Sequence, residues 1–458
     1  MLSCVEEQPK KMEEPLPYTF DLDSIQKRGS LIALVDNSTT SYFIYKGQPM
    51  GFEYELLERF ANYLKVELEV RVVYNLDSLT QLLNNGEGDV VAANITATSN
   101  RKKYVSFSNP IHKTHQVLVQ RRSDSMLTSL EELSDKTIHV WSNSSFIERL
   151  QNLSGELGEP INIVAVDNTD TSIVMNKTLQ LVEAVSKGTI DYTVADENIA
   201  KVQQKMHGNL NIDLDISLEQ NIAWAFRHPD SNLLNAANEW LKLEKEQKDF
   251  YTIYLKYFKA RSKLKKKLQS DFSSVSGGQI SPYDEILKKE VRAIGWDWRL
   301  LAAQVFQESK FDADAESWIG AYGLMQLVPH TAAAYGIDSS NMTSPAANIR
   351  AGVSYLKWIQ NFWEKTIEDS IQVQKFVLAS YNVGLGHIID AKNLADKYGA
   401  NPAIWDDNVE DYVLLKSEQK YYSDEVCKHG YCRGKEPYNY VKNIFEGYEH
   451  YKNLIAAE

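Results

Sequence analysis

The residue whose type and position most suggest chemistry is Glu308, which closes an apolar stretch at residues 300–306. A carboxylate that is partly removed from water holds its proton near neutral pH, because burial disfavours the charged form. Such a group can donate a proton to a leaving oxygen and later take one back. Most glutamates at helix ends are solvated, so Glu308 alone would mean little. Asp312, Asp314 and Glu316 could supply a second carboxylate, but we interpret them as solvated loop residues.

Four short segments give Glu308 a context. They are Glu-Ser at 308–309, Gly-Ala-Tyr-Gly-Leu-Met-Gln at 320–326, Ala-Ser-Tyr-Asn at 379–382 and Tyr-Val at 440–441. In this order they resemble the soluble lytic transglycosylase domain, a helical, goose-lysozyme-like fold that cleaves bacterial peptidoglycan. The expected fold of this part of the chain is therefore all-α.

The resemblance implies that Glu308 is the only catalytic carboxylate. It would protonate the oxygen of the β-1,4 bond between N-acetylmuramic acid and N-acetylglucosamine. Ordinary glycosidases use a second carboxylate, whereas here the 6-hydroxyl of the muramic acid would attack and form a 1,6-anhydro ring. Because this nucleophile belongs to the substrate, ring closure avoids most of the entropic cost of a second reactant. No cofactor and no metal are expected.

The resemblance also implies substrate-binding residues along the cleft. Ser317 and Tyr381 would orient Glu308 or the sugar, and Gln326 and Asn382 would bond to N-acetyl groups or hydroxyls. Taken singly, packing in the core is the competing interpretation for the apolar and aromatic members. The full expected set is Ser317, Tyr322, Gly323, Met325, Gln326, Tyr381, Asn382 and Tyr440.

A second set of polar residues lies in the first half of the chain. The segments that matter are 51–56, 97–101 and 191–196. They resemble family 3 solute-binding proteins, the two-lobed receptors for amino acids. The resemblance places a ligand's α-carboxylate on Thr98 and Arg101 and its α-amine on Asp196, and arginine offers a planar fork that suits a carboxylate. Without the resemblance, Arg101 would be interpreted as a surface arginine beside two lysines.

Two further features would complete this ligand site. Ser144, in a serine-rich loop, would cap a helix and present amide groups to an anion. Tyr42, together with Phe43 and Tyr45, could supply an aromatic wall. The expected ligand is a muropeptide, a stem peptide or an amino acid from the cell wall.

The elements that must position these residues change character along the chain. Apolar strands alternate with amphipathic helices through the first half, which predicts two α/β lobes with mostly parallel sheets. After residue 280 the spacing is almost entirely helical. The predicted fold is a two-lobed, periplasmic-binding-protein-like module followed by a helical catalytic domain. The predicted domains are a tether at 1–20, a regulatory domain at 21–258, a linker at 259–280 and a catalytic domain at 281–458.

The composition restricts the partners of the chain. Its 458 residues carry 49 basic and 62 acidic side chains, for a net charge of −13. A general nucleic-acid binder would need a cationic face, so nucleic acid is not an expected partner. No apolar run approaches the ~18–20 residues of a membrane-spanning helix.

The three cysteines suggest where the protein works. Cys4 follows a small residue near the start of the chain, as at the end of a bacterial lipoprotein signal. We expect a processed lipoprotein, anchored by Cys4 to the outer membrane and exposed to the periplasm; an incidental cysteine is the competing interpretation. A turn between Cys427 and Cys432 would allow a disulfide, and a zinc site with His429 or two free thiols remain open.

Three other functions are compatible with these motifs. A muramidase would cleave the same bond with water, and its products would be one water heavier than anhydro products. A ligand-binding receptor with a non-catalytic lysozyme-like domain would bind without turnover. A receptor for amino-acid import would bind one free amino acid tightly.

Overall fold

The computed structural model describes residues 20–73, 79–123, 125–142, 144–166, 177–228, 231–259, 263–275, 278–338 and 341–456. The chain forms two compact units. The first unit comprises Met1–Tyr42 and Met50–Lys265, and the second comprises Phe43–Pro49 and Lys266–Glu458.

The strands lie almost entirely in the first half of the described chain. They are β1 (Ser30–Val35), β2 (Phe43–Tyr45), β3 (Gln48–Met50), β4 (Glu67–Val72), β5 (Val90–Val91), β6 (Ser106–Phe107), β7 (His112–Thr114), β8 (Gln116–Arg121), β9 (Thr137–Trp141), β10 (Asn162–Val166), β11 (Tyr192–Asp196), β12 (Leu210–Asn211), β13 (Gln220–Ile222) and β14 (Ala225–Phe226).

Helices occur throughout and dominate the second unit. Those before residue 270 are α1 (Leu22–Arg28), α2 (Phe52–Leu64), α3 (Leu79–Asn84), α4 (Ser145–Leu157), α5 (Lys177–Lys187), α6 (Glu197–His207), α7 (Ser231–Lys245), α8 (Lys248–Tyr254) and α9 (Lys263–Leu268). Those after it are α10 (Asp284–Glu290), α11 (Trp298–Ser309), α12 (Pro329–Ala334), α13 (Pro345–Trp363), α14 (Ser370–Val383), α15 (Leu385–Lys397), α16 (Glu410–Leu415), α17 (Gln419–Tyr422) and α18 (Lys435–Leu454). Short 3₁₀ or π turns occupy Arg101–Lys103, Glu131–Leu133, Leu255–Lys259, Val291–Ala293 and Trp405–Val409.

Two five-stranded sheets form the two lobes of the first unit, as the sequence predicts. Their strand orders are β4-β1-β5-β14-β6 and β10-β9-β11-β8-β12. In each sheet two of the four strand pairings are parallel and two are antiparallel. The apolar run of β1 is buried, as expected for a strand covered by helices on both faces.

The topology brings polar residues of both lobes toward a common cleft. Asp36 directly follows β1, and Asp196 is the last residue of β11, so both stand at the carboxyl ends of central strands. Ligands of open α/β sheets bind at these ends, because loops and helix N-termini gather there. The chain passes between the lobes near β7 and β13. These two strands pair antiparallel, with Thr114 opposite Gln220 and His112 opposite Ile222.

The second unit is helical, and α11 runs through its core. Asp297 caps α11 by accepting a hydrogen bond from the Arg299 amide at 2.9 Å. Leu300, Leu301 and Val305 are fully buried, so the helix needs neighbours on most sides. Those neighbours include α10 and α18. This buried helix carries Glu308 in its last turn.

Residues 272–274, which fall in the predicted linker, belong to the second unit. The Lys46 amide donates to the Phe272 carbonyl, and the Ser274 amide to the Ile44 carbonyl, both at 2.9 Å. Ser273 is fully buried. These serines are therefore structural, because residues 272–274 pair with β2 of the short β2–β3 hairpin.

The tip of the β2–β3 hairpin packs beside the end of α11. The Tyr451 hydroxyl of α18 donates to the Gly47 carbonyl at 3.0 Å. Gly47 has a φ of +76°, and a Cβ there would lie 2.6 Å from the Tyr451 hydroxyl, 2.8 Å from Phe311 and 2.9 Å from Phe306. Only glycine satisfies both the backbone conformation and the space.

Cys427 and Cys432 are free thiols, so the disulfide that their spacing allows is not formed. The Cys427 thiol points to the Tyr421 carbonyl at 3.2 Å, and Cys432 is buried. Among the residues that the structure describes, no group of three or more His, Cys, Asp or Glu side chains could hold a metal. The zinc alternative at His429 is therefore not supported.

A buried ion pair holds the cysteine loop instead. Asp390 and Lys416 are both buried, and Lys416 Nζ lies 2.7 Å from Asp390 Oδ2. Asp390 also accepts hydrogen bonds from the Lys428 and His429 amides at 2.9 and 2.8 Å. Burial would raise the pKa of Asp390, but these bonds outweigh it and hold that pKa below its usual range.

Replacing Gly47 with alanine should destabilise the second unit. We expect Gly47→Ala to lower the thermal unfolding midpoint by at least about 2 °C more than Gly336→Ala, since roughly 1 kcal/mol or more of steric strain is added. Gly336 is a matched control because its φ is +82° and its Cβ position is open. Equal midpoints for the two variants would contradict the packing described at the hairpin tip.

Candidate functional site

Glu308 lies in the last turn of α11, partly buried, with its carboxyl packed among protein atoms. The Tyr440 hydroxyl of α18 donates to Glu308 Oε1 at 2.5 Å, and Gln304 Nε2 donates to the same hydroxyl at 3.3 Å. Burial raises the pKa of Glu308 to about 7, although the Tyr440 hydrogen bond lowers it. Near neutral pH this carboxyl can therefore give and take a proton.

Ser309 and Asn348 hold the Gly-Ala-Tyr-Gly-Leu-Met-Gln loop against α11. Ser309 Oγ lies 2.9 Å from the Leu324 carbonyl, within hydrogen-bonding distance. Asn348 Oδ1 accepts from the Met325 amide at 2.7 Å, and its Nδ2 donates to the Tyr322 carbonyl at 3.0 Å. The sequence analysis missed Asn348, and an amide among the apolar positions of α13 is the signal that could have revealed it.

Ser317 and Gln326 brace the loop that they belong to. Ser317 Oγ accepts from the Ala321 amide at 2.9 Å. Gln326 Nε2 donates to the carbonyls of Ala315 and Gly323 at 3.1 and 2.9 Å. These hydrogen bonds do not include Glu308. They therefore do not provide the orientation of Glu308 that was expected of Ser317.

Met325 was expected among the substrate-binding residues, and this expectation is wrong for its side chain. Met325 is fully buried, and its sulfur would lie 2.2 Å from a Cβ placed on Gly352 of α13. A side chain with no exposed surface cannot contact a sugar. Its backbone carbonyl has a role, because it accepts the Tyr381 hydroxyl at 2.7 Å.

Tyr440, and not Tyr381, makes a hydrogen bond to Glu308, although the resemblance offered Tyr381 as a residue that orients Glu308 or the sugar. The Tyr381 hydroxyl bonds to the loop, whereas the Tyr440 hydroxyl bonds to Glu308. Burial raises the pKa of Tyr381, and the negative charge of Glu308 raises it further. The structure thus brings Glu308, Tyr381 and Tyr440 together, while Asn382 and Tyr322 are half-buried.

The three acidic residues of the neighbouring loop are solvent-exposed, as predicted. Asp312, Asp314 and Glu316 all lie at the surface. Glu316 accepts a hydrogen bond from the Tyr322 hydroxyl at 2.8 Å. Their exposure leaves their carboxylates without the desolvation that distinguishes Glu308.

A second candidate site lies in the first unit, where a cavity of about 110 Å³ opens between the lobes. Polar lining residues come from both lobes: Asp36, Thr40, Asn94, Thr96, Arg101, Ser142, Ser144, Ser145, Lys177, Thr178 and Asp196. Such a mixture of opposite charges suits a small zwitterion.

Asp196 is the best-defined polar group of this cavity. It is buried, and its Oδ2 accepts from Asn94 Nδ2 at 2.9 Å. Its Oδ1 accepts no hydrogen bond within the part of the chain that the structure describes. Burial raises the pKa of Asp196 to about 7, against the lowering effect of the Arg101 charge. A ligand cation would restore the charge and fill the unused acceptor.

Two expected ligand-site residues lie elsewhere. Tyr42 is fully buried and packs against Tyr54, with ring centroids 5.4 Å apart, so it does not wall the cavity. Thr98 Oγ1 accepts from the Arg101 amide at 3.3 Å and braces that turn, while Thr96 lines the cavity.

The expected serine loop does line the cavity, together with aromatic rings that the sequence analysis missed. Ser144 Oγ donates to the Trp141 carbonyl at 2.7 Å. Trp141 and Phe146 form an apolar wall beside it. An aromatic residue, Trp141, directly before the serine-rich loop was an available signal. Cys4, the expected lipid anchor, lies outside the described residues.

Removing the Tyr440 hydroxyl should raise the pKa of Glu308 above about 7, because the hydrogen bond that favours the ionised form is lost. We expect Tyr440→Phe to shift the titration of the Glu308 carboxyl, followed by carbon-13 NMR, to higher pH. Tyr448→Phe is the control, since that α18 hydroxyl bonds to Asp297 at 3.2 Å instead. An unshifted titration in Tyr440→Phe would contradict the assigned contact.

Comparisons with known proteins match each of the two parts of the chain that carry these candidate sites. The sequence model of the family described as bacterial extracellular solute-binding proteins, family 3, matches residues 31–260. The sequence model of the transglycosylase SLT domain matches residues 285–404. A membrane-bound lytic murein transglycosylase F from Desulfosudis oleivorans is 34% identical, over 94% of this chain and 92% of that protein. The protein of the same name from Saccharophagus degradans is 31% identical, over 92% of this chain and 82% of its own length.

Among solved structures, the ancestral amino acid-binding protein AncCDT-1 covers 52% of this chain and 99% of its own, at 26% identity and a TM-score of 0.45. The two family matches and the relatives that align along nearly the whole length lead to one assignment. The chain belongs to the membrane-bound lytic murein transglycosylase F family.

Proposed function

We propose that this protein is a peptidoglycan lytic transglycosylase that cleaves the β-1,4 bond between N-acetylmuramic acid and N-acetylglucosamine. The observation that carries the proposal is the environment of Glu308. Its pKa of about 7 suits an acid that must also act as a base. The neighbouring loop acids are exposed and offer no second carboxylate of the same kind.

The reaction needs two proton transfers through one carboxyl. Protonated Glu308 donates to the bridging oxygen, and the bond between that oxygen and the muramic acid anomeric carbon breaks. The muramic acid 6-hydroxyl then forms the new bond to that carbon, and its proton passes to ionised Glu308. The acid is restored, no water is consumed, and the product is a 1,6-anhydromuramic acid.

Tyr440 stabilises the intermediate state of this cycle. Its hydroxyl donates to Glu308, and a donated hydrogen bond favours the ionised carboxylate that exists between the two transfers. The Gln304 amide in turn supports the Tyr440 hydroxyl. Burial favours the protonated form at the start, so the two opposing influences keep both forms accessible.

The first unit binds an amino acid or the zwitterionic end of a stem peptide, and so modulates the catalytic unit. Arg101 supplies the cation for a carboxylate, and Asp196 supplies the anion for an amine. The chain runs from Thr40, which lines the cavity, into Phe43–Pro49, which belongs to the second unit. This connection supports a response of the catalytic unit to ligand.

The protein works in the periplasm, tethered to the outer membrane through a lipid on Cys4. The sequence around Cys4 and the membrane-bound relatives support this part of the proposal. The structure contains, in its described portion, no helix that is both long and apolar enough to cross a membrane.

Neutralising the acid should abolish lysis. We expect Glu308→Gln to reduce the cleavage of purified sacculi by at least about 10³-fold, because the amide cannot transfer the proton. Asp314→Asn, which changes an exposed neighbouring carboxylate, should remain within about threefold of wild type. The measurement is release of soluble muropeptides, with product masses determined by mass spectrometry.

Product masses also separate this reaction from hydrolysis. Anhydro products lack one water relative to the hydrolytic products of a muramidase. Lysis by Glu308→Gln at the wild-type rate would refute the role of Glu308, and products with a reducing end would identify hydrolysis.

Ligand binding by the first unit should depend on Arg101. We expect calorimetry with stem peptides and free amino acids to show binding to wild type and at least a tenfold loss in Arg101→Ala, since a charged hydrogen bond is worth about 1.5–3 kcal/mol. Lys102→Ala, an exposed neighbour, is the control and should bind within twofold of wild type. Equal affinities for the two variants would exclude the carboxylate role of Arg101.

A further inference from the structure

Four aromatic side chains form a continuous strip on the second unit. The Tyr381 ring of α14 lies 5.2 Å from the Tyr355 ring of α13, and Tyr355 lies 6.1 Å from Trp358 one turn along the same helix. Tyr335, just after α12, lies 5.8 Å from Tyr355. We call Tyr335, Tyr355, Trp358 and Tyr381 the aromatic strip.

One end of the aromatic strip is at the catalytic acid. Tyr381 donates its hydroxyl to the Met325 carbonyl of the motif loop, and the Glu308 charge acts on the same tyrosine. The strip therefore continues from the site already described and does not form a separate patch. From Tyr381 the strip continues through Tyr355 to Trp358.

The other end of the strip is exposed to solvent. Trp358 is 52% exposed, although the same helix buries Leu356, Ile359 and Trp363 in the core. The helix thus has a well-packed inner face and an outer tryptophan that contributes little to that packing. A large aromatic surface left in water, in line with rings that lead toward a catalytic group, suits a ligand-binding surface.

The orientation of the rings suits a flat partner. The Tyr355 and Trp358 rings are nearly parallel, at 19° to each other. Their faces are apolar and electron-rich, whereas the tyrosine hydroxyls and the indole N–H are polar groups at the edge. A pyranose ring has the matching form, with C–H groups on its faces and hydroxyl and N-acetyl groups at its rim.

We propose that the aromatic strip is a glycan subsite that stacks a sugar ring beyond the two sugars joined by the cleaved bond. This inference rests on the proposed function, and it specifies how that function selects long glycan strands over short fragments. The chain's net charge of −13 makes long-range attraction to an anionic wall polymer an unsuitable source of affinity. Stacking supplies affinity without charge.

The central experiment compares two exposed apolar residues. Ile371, at the start of α14, is also 52% exposed, and it lies ten residues before Tyr381, about 15 Å along the helix axis. Trp358→Ala and Ile371→Ala therefore remove similarly exposed apolar side chains on and off the strip. Trp358→Phe retains an aromatic face.

Steady-state kinetics should be measured on peptide-free glycan strands from amidase-treated sacculi, sorted into long strands and the shortest strand that wild type cleaves. On long strands we expect Trp358→Ala to raise KM about three- to tenfold with kcat within twofold, since an aromatic stacking contact is worth about 0.5–1.5 kcal/mol. Trp358→Phe should recover most of the loss, and Ile371→Ala should resemble wild type. On the shortest strand Trp358→Ala should also resemble wild type.

Binding provides a readout that does not depend on turnover. Calorimetry of long strands with Glu308→Gln and with Glu308→Gln/Trp358→Ala should show the same three- to tenfold weakening. Failure of wild type to cleave any strand would refute the proposed function, whereas this binding comparison would still test the strip. Equal affinities with and without Trp358, or equal effects on long and short strands, would overturn the subsite.

The same variants test whether another partner covers the strip. Sedimentation of the free protein should be the same for wild type and Trp358→Ala. A loss of self-association in Trp358→Ala, together with unchanged strand binding, would identify a contact between copies and overturn the inference.

Discussion

The catalytic unit depends on the burial of one carboxyl group, that of Glu308, away from water. Glu308 ends a helix whose other turns are buried, so its charge cannot be fully hydrated, and its pKa rises to about 7. An ionised carboxylate in such a place needs a compensating donor, and the Tyr440 hydroxyl provides it. The packing of α18 against α11 thus sets the electrostatics of the acid.

The loop that borders the acid is built from hydrogen bonds within the protein. Asn348 bonds to the Met325 amide and the Tyr322 carbonyl, and Gln326 bonds to two loop carbonyls. The loop has positive φ at Gly323 and Gln326, and these side-chain amides supplement its backbone hydrogen bonds, such as the pair between Tyr322 and Leu327. Several residues of the family motifs therefore maintain the shape of the cleft wall.

The proposed ligand site of the first unit depends on the same effect of burial on a carboxyl group. Asp196, like Glu308, is an acid whose pKa burial raises to about 7. Asp196 has the positive charge of Arg101 nearby and accepts a hydrogen bond from Asn94, whereas Glu308 accepts one from the Tyr440 hydroxyl. The second oxygen of Asp196 accepts no hydrogen bond from the described residues. In the proposed function, burial prepares one carboxyl to exchange a proton with a substrate and the other to receive a ligand cation.

The sequence by itself determined the change from α/β to helical architecture, the position of the acid and the polar character of both sites. Hydrophobic periodicity and short motifs are local, so they can be recognised along the chain. Only the tertiary structure decided that Tyr440, and not Tyr381, bonds to Glu308, because that contact joins residues 132 positions apart. It also decided that Tyr42 and Met325 are core residues, and that buried Asp390, not a disulfide, holds the cysteine loop. Burial and side-chain pairing depend on which elements pack together, and residue type alone does not specify that packing.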